Sequence, residues 1–160
     1  MSTIDQRLYD LGLALPAPVT GVAGLELPFA FINVQGDRVL ISGHAAQDAD
    51  GEIAGPYGQL GAELTTEEGY EAAGDIALSM LANLKEAIGD LDRVAGWTRV
   101  FGMINSAPGY SEQHVVMNGF SDLILEVFGP DVGRHARSAM GAAGMPLNFA
   151  MEIEAEVRLK

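Results

Sequence analysis

A chain of 160 residues with 48% hydrophobic content holds apolar material for one full core. Twenty-two acids against nine bases give a formal charge of −13, so no basic cluster exists to displace phosphate counterions, and nucleic acid is not an expected partner. No run approaches the ~18 consecutive apolar residues of a membrane span, and the lack of cysteine removes disulfides, thiolate catalysis and cysteine metal sites. The start, Met-Ser-Thr-Ile-Asp-Gln-Arg, has no apolar signal core, so the cytoplasm is the expected compartment.

Ile4, Leu8 and Leu11 share one stripe of a short helix over 4–11, and Gly12 is a natural stop. A proline-spaced extended connector follows at Leu15-Pro-Ala-Pro-Val. Two short strands are expected within 29–42, around a turn at Gln35-Gly36-Asp37, and Asp48-Ala-Asp-Gly-Glu-Ile is a polar turn. Thr65 and Glu68 form a capping box; behind it Tyr70, Ala73, Ala77, Met80, Leu81, Leu84 and Ile88 repeat at helical spacing up to Gly89. Val94 to Ile104 has strand character from Thr98, Val100 and Phe101. After a Pro108-Gly109 turn, Ser111 is the expected cap of a second helix, whose stripe of Val116, Phe120, Leu123 and Val127 ends at Gly129-Pro130.

The last segment, Arg134 to Val157, reads as two strands joined by a turn. Met151, Ile153, Ala155 and Val157 alternate with Glu152, Glu154 and Glu156, one face buried and the other acidic. The order is therefore ββαβαββ, an α+β sheet of four to six strands with two helices on one face. The opposite face needs a cover, and self-association is the simplest one.

Chemistry concentrates in the same segment. Arg137 stands alone among small and apolar residues, and its planar fork suits a small carboxylate, which it can grip with two hydrogen bonds. A structural ion pair is its bland alternative. Glu152 lies nearest the turn, where an antiparallel pairing of the two strands would bring it towards Arg137, whereas Glu154 and Glu156 read as a solvated face. Tyr70 and Trp97 read as core or interface aromatics. His44, His114 and His135 are too scattered for a metal set, and no glycine cradle for a nucleotide is spaced before a helix, so no metal and no cofactor are expected.

The run His135-Ala-Arg-Ser-Ala-Met-Gly, with Met145-Pro and Met151-Glu-Ile-Glu154, resembles the signature of the reactive intermediate deaminase (RidA or YjgF) family, also labelled endoribonuclease L-PSP. Ile41-Ser-Gly43, the capped helix, Thr98-Arg-Val-Phe101 and Asn118 add to the likeness over residues 29–160. Residues 1–28, with Leu11-Gly-Leu-Ala-Leu-Pro16, resemble the amino-terminal extension of a lengthened branch, within a single domain of 1–160. The resemblance implies the fold of bacterial trimeric chorismate mutase and a homotrimer with sites in the clefts between subunits. It implies that Arg137 binds the carboxylate of a 2-imino or 2-enamino acid and that Glu152 places the attacking water. Backbone groups at Gly43 and Ala139 would hold substrate and water. Phe29 stands where the family commonly has an aromatic hydroxyl, and Asn118 offers a polar contact. The products are ammonia and a 2-keto acid, formed without metal or organic cofactor. The alternatives are a trimer of the same fold that binds a metabolite without turnover and, disfavoured by the acidic charge, an endoribonuclease.

Overall fold

The computed structural model describes residues 2–19, 21 and 27–160; residues 1, 20 and 22–26 of the amino-terminal extension lie outside the described residues. Five strands, β1 (Ile32–Gln35), β2 (Arg38–His44), β3 (Val94–Asn105), β4 (Ala136–Ala142) and β5 (Met151–Leu159), form one sheet in the order β1-β2-β5-β3-β4. The helices are α1 (Thr3–Asp10), α2 (Thr66–Ile88), α3 (Gln113–Val116) and α4 (Asn118–Gly133). The α+β architecture agrees with the sequence reading.

Local signals account for most elements. Ser2 caps α1, whose Ile4 and Leu8 are buried in the core, while Asp92 accepts from the backbone N–H groups of Thr3 and Ile4 at 2.7 and 2.9 Å. The hairpin turns at Gly36-Asp37, with Gln35 opposite Arg38. The expected capping box of α2 is complete: Thr65 accepts from the Glu68 N–H and Glu68 accepts from the Thr65 N–H. A cap of this kind contributes about 1 kcal/mol. The α2 stripe is buried except for Tyr70, which is 38% exposed and donates to Asp122 on α4 at 2.9 Å. Trp97 is buried edge-on to Phe120 and Phe128. Helices α2 and α4 approach closely at Gly119, where any Cβ would fall 1.9 Å from the Tyr70 carbonyl oxygen, so only glycine is compatible with this crossing.

Two local expectations fail. Ser111 does not cap the second helix; the residue before α3 is Glu112, which makes no side-chain cap bond, and the helix resumes as α4 at Asn118. The last two strands do not form a hairpin. Strand β3 lies between them, antiparallel to β5 and parallel to β4, with Val100 opposite both Arg137 and Ala155. The physical reason is the crossover. The segment β3-α3-α4-β4 is a strand–helix–strand unit, which brings its strands together in parallel, whereas 143–150 is long enough to carry β5 across β3.

All helices pack on one face of the sheet. Val39, Ile41, Val100, Ile104, Met151, Ile153 and Val157 point into the core beneath them. The other face, left open by the described elements, carries Leu40, Arg99, Phe101, Met140, Glu152, Glu154 and Glu156 by the two-residue period of the strands.

Candidate functional site

Strand β4 is the last in the sheet, and its outer edge pairs with no other described strand. Arg137 projects from it on the helix side, because it shares a register position with the buried Val100. Its Nη1 donates to Ser121 Oγ on α4 at 2.9 Å, and its Nη2 donates to the carbonyl of His114, the second residue of α3, at 3.2 Å. No carboxylate lies within ion-pair distance of it among the described residues. The guanidinium is therefore half-buried, aimed by neutral acceptors and without an ion-pair partner among the described residues, with the charge of Asp122 on α4 acting on it only from beyond contact distance. Desolvation lowers its pKa, though an arginine so placed keeps its proton. Three of its five N–H donors remain for a ligand.

Ala139 follows Arg137 by two residues on the same side of β4, packed against the core. Asn118 is exposed at the first position of α4, one turn before Ser121. Arg137 and Ala139 thus share the helix side of the edge strand, and Asn118 stands on α4 one turn from the Ser121 that holds Arg137.

Glu152 belongs to a second group. It points to the open face, opposite Met103 of β3, and is half-buried with no hydrogen-bond partner among the described residues. Burial raises its pKa above the ordinary carboxylate value. Gly43 makes room for it: a Cβ at Gly43 would sit 2.7 Å from Glu152 Oε2. Gly43 lies in the irregularity between Ile41 and His44, where the pairing of β2 with β5 shifts register. His44 Nδ1 donates to the Ser42 carbonyl at 2.7 Å across this bulge; desolvation by burial pushes the imidazole down to about 4, so it is neutral at ordinary pH. Phe29 stands just ahead of β1, 53% exposed, with its ring edge-on to Phe31 at 5.6 Å. Phe31 in turn packs edge-on against His44.

The six sequence candidates thus separate into Arg137, Ala139 and Asn118 on one side and Glu152, Gly43 and Phe29 on the other. Within one chain Arg137 and Glu152 lie on opposite faces of the sheet. Their strands are separated by β3, and they are offset by three register positions, from Val100 to Met103. The expected approach of Glu152 to Arg137 through a hairpin is not made.

The acidic face is partly paired: Arg38 donates to Glu156 through Nε and Nη2 at 3.0 and 3.1 Å, and Glu154 stays exposed. An open depression of about 290 Å³ lies beside it, lined by Leu40, Ser42, Arg99, Phe101, Glu154 and Glu156 among others. Among the described residues, no three acids and histidines gather as a metal-ligand set, and no helix is long and apolar enough to cross a membrane.

A family model described as "YjgF/chorismate mutase-like, putative endoribonuclease" matches residues 5–155. The chain belongs to the YjgF/chorismate mutase-like family. Protein TCP17 of Trypanosoma cruzi is 40% identical to this YjgF-family chain over 156 residues, covering 98% of the chain and 94% of that protein. The crystal structure of Atu1372 from Agrobacterium tumefaciens, of unknown function, is similar at 34% identity and a TM-score of 0.84, over 98% of this chain and 94% of that one. A Shewanella oneidensis protein described as a "putative endoribonuclease" shares 33% identity at a TM-score of 0.87, over 99% of this chain and all of that one. The five-stranded α+β sheet is the fold of this family, as the sequence resemblance implied.

Ser121 and His135 are contacts of the site that the sequence reading passed over. His135 was visible only as a histidine two residues before Arg137, and Ser121 as a polar position one turn after Asn118.

Proposed function

We propose that this YjgF-family protein hydrolyses the C=N bond of small 2-imino acids, or their 2-enamino tautomers, at clefts between the subunits of a homotrimer. The carrying observation is Arg137: a half-buried guanidinium, oriented by Ser121 and His114, with no carboxylate partner of its own among the described residues. A structural ion pair would have supplied that partner. A planar substrate carboxylate supplies it instead, through two parallel N–H donors.

Protonated imines carry an electrophilic carbon, so positioning a water and excluding bulk solvent account for much of the rate. Glu152 accepts a proton as that water attacks the imine carbon. Burial raises its pKa above the ordinary carboxylate value, which makes it a stronger base than an exposed glutamate, and a positioned general base typically adds ~10²–10⁴-fold. The carbinolamine then collapses: Glu152 returns its proton to nitrogen, the C–N bond breaks as the hydroxyl oxygen forms the carbonyl, and the hydroxyl proton is taken up by the departing ammonia, so that ammonium and a 2-keto acid result. Backbone groups at Gly43 and Ala139 hold water and substrate, Asn118 offers a side-chain amide, and Phe29 supplies an apolar wall.

Because Arg137 and Glu152 occupy opposite faces of one sheet, a cleft using both takes Arg137 from one copy and Glu152 from another. The open face, with Leu40 40% and Met140 52% exposed, and the free edge of β4 offer the surfaces for that assembly. The second reading, binding of a 2-keto acid without turnover, is favoured by Phe29, which brings no hydroxyl to the cleft. The endoribonuclease description attached to the family fits this chain poorly, since its −13 charge repels RNA.

The test is ammonia or keto-acid release from 2-iminopropionate and a longer imino acid, generated in place by an amino-acid oxidase, with Arg137→Ala beside the wild type. Acceleration by the wild type alone is expected. No acceleration over spontaneous hydrolysis would move the assignment to the binding protein. Sedimentation as a monomer would remove the shared cleft.

A further inference from the structure

We propose that Ser121 and His135 are positioning residues for Arg137, joined in a one-directional hydrogen-bond relay that fixes the guanidinium for its carboxylate ligand. The proposal rests on Arg137 serving as the carboxylate anchor. It adds the device that aims it.

The direction of every bond follows from donor and acceptor chemistry. The Gly133 carbonyl can only accept, and it lies 2.7 Å from His135 Nδ1, so Nδ1 carries the proton. In a neutral imidazole Nε2 is then a bare acceptor. It lies 3.0 Å from Ser121 Oγ, which donates its one proton there. The serine oxygen keeps its lone pairs for Arg137 Nη1, which donates to it at 2.9 Å. The second arm, Nη2 to the His114 carbonyl at 3.2 Å, prevents rotation about the remaining axis. Two donors are thus spent on orientation, and three of the five remain.

The three residues come from three successive parts of the chain: Ser121 from α4, His135 from the α4–β4 connection, and Arg137 from the edge strand. His135 is itself held, with its ring edge-on to Phe120 at 6.3 Å. Burial and the neighbouring arginine depress its pKa, which favours the neutral ring that the relay requires. Protonated at Nε2, the ring would turn from acceptor to donor, and the serine hydroxyl would lose its partner. An arginine on an edge strand without such a hold loses side-chain freedom when it binds, and that cost appears in affinity.

The experiment compares wild type with Ser121→Ala, Ser121→Thr, His135→Leu, His135→Gln and Arg137→Ala. Nitrogen-15 NMR reads the His135 tautomer and the rotation of the Arg137 guanidinium. Titration with 2-oxobutanoate and steady-state kinetics read binding and turnover. Wild type is expected to show an Nδ1–H tautomer and a slowly rotating guanidinium. Ser121→Ala and His135→Leu should free that rotation and raise KM and the 2-oxobutanoate Kd about five- to tenfold, with kcat little changed. Ser121→Thr keeps the hydroxyl, and His135→Gln keeps an acceptor for it, so both should stay near wild type. In an Arg137→Ala background, Ser121→Ala should add nothing. Unchanged guanidinium rotation in Ser121→Ala, or equal losses in His135→Leu and His135→Gln, would overturn the relay. A wild type without turnover but with the NMR contrast intact would overturn the deaminase reading while supporting the relay.

Discussion

The two faces of the sheet are built by the same strands and do different work. On the helix side, Val100, Ile104, Ile153 and Val157 are fully buried, and the one charge admitted, Arg137, sits at the outermost strand beneath α3 and α4. On the open side, the same β5 presents Glu152, Glu154 and Glu156, and each has a different environment. Glu152 is half-buried over Gly43, Glu154 is exposed, and Glu156 is gripped by Arg38. Alternation along a strand thus decides which residues can share a cavity. A residue's neighbour in sequence faces away from it, and its functional partner can come from another copy.

The comparison breaks most decisively if both halves of the site come from one chain. Arg137→Ala and Glu152→Gln should each lower kcat/KM on an imino acid by ~10²-fold or more. Co-expressing the two variants and purifying mixed oligomers should restore part of the activity, since some clefts then receive an intact Arg137 and an intact Glu152. Mixed oligomers as inactive as the parents would refute the division between faces.

Met140→Asp tests the open face as an interface. Placing a carboxylate at this exposed apolar position, beside an already acidic face, should dissociate the assembly and remove turnover while the subunit stays folded. Sedimentation and circular dichroism together check this; a folded, active monomer would contradict it.

A smaller effect is expected from Gly43→Ala. Its methyl would meet Glu152 Oε2 at 2.7 Å, and because that oxygen ends a flexible side chain the carboxylate would swing aside rather than the backbone move. Turnover should fall about tenfold through misplaced water, with the melting temperature nearly unchanged. A fall in melting temperature without loss of kcat would assign Gly43 to folding alone.

The smallest effect is on stability. Burial raises the Glu152 pKa in the folded chain, so the folded state binds more protons at this site than the unfolded state. Its contribution is fully present below the ordinary value of 4.5 and is lost as the pH rises through the folded value. Glu152→Gln should therefore be more stable than wild type at neutral pH, with the difference vanishing below about pH 4.5. Thermal melts across this range read the sign directly; equal melts at neutral pH would mean that the carboxylate is well solvated.

Much of this was legible in the residues themselves. The Thr65–Glu68 capping box, the Gly36-Asp37 turn and the alternation of Met151 to Val157 act over a few positions, so their outcome is written locally. The motif around Arg137 was equally plain, and it carries the family resemblance that the match over residues 5–155 agrees with. The strand order was not. Antiparallel pairing of β4 with β5 satisfies the same alternation as the observed sheet, and only the α3–α4 crossover, which fastens β4 to β3 in parallel, separates them. The neutral acceptors that aim Arg137 were equally hidden, because Ser121 and the His114 carbonyl reach it only once α3 and α4 pack over the edge strand. Local chemistry determined which segments became helix or strand and which face of each was apolar. Non-local packing decided which strands became neighbours, and with them the side of the sheet on which each functional residue stands.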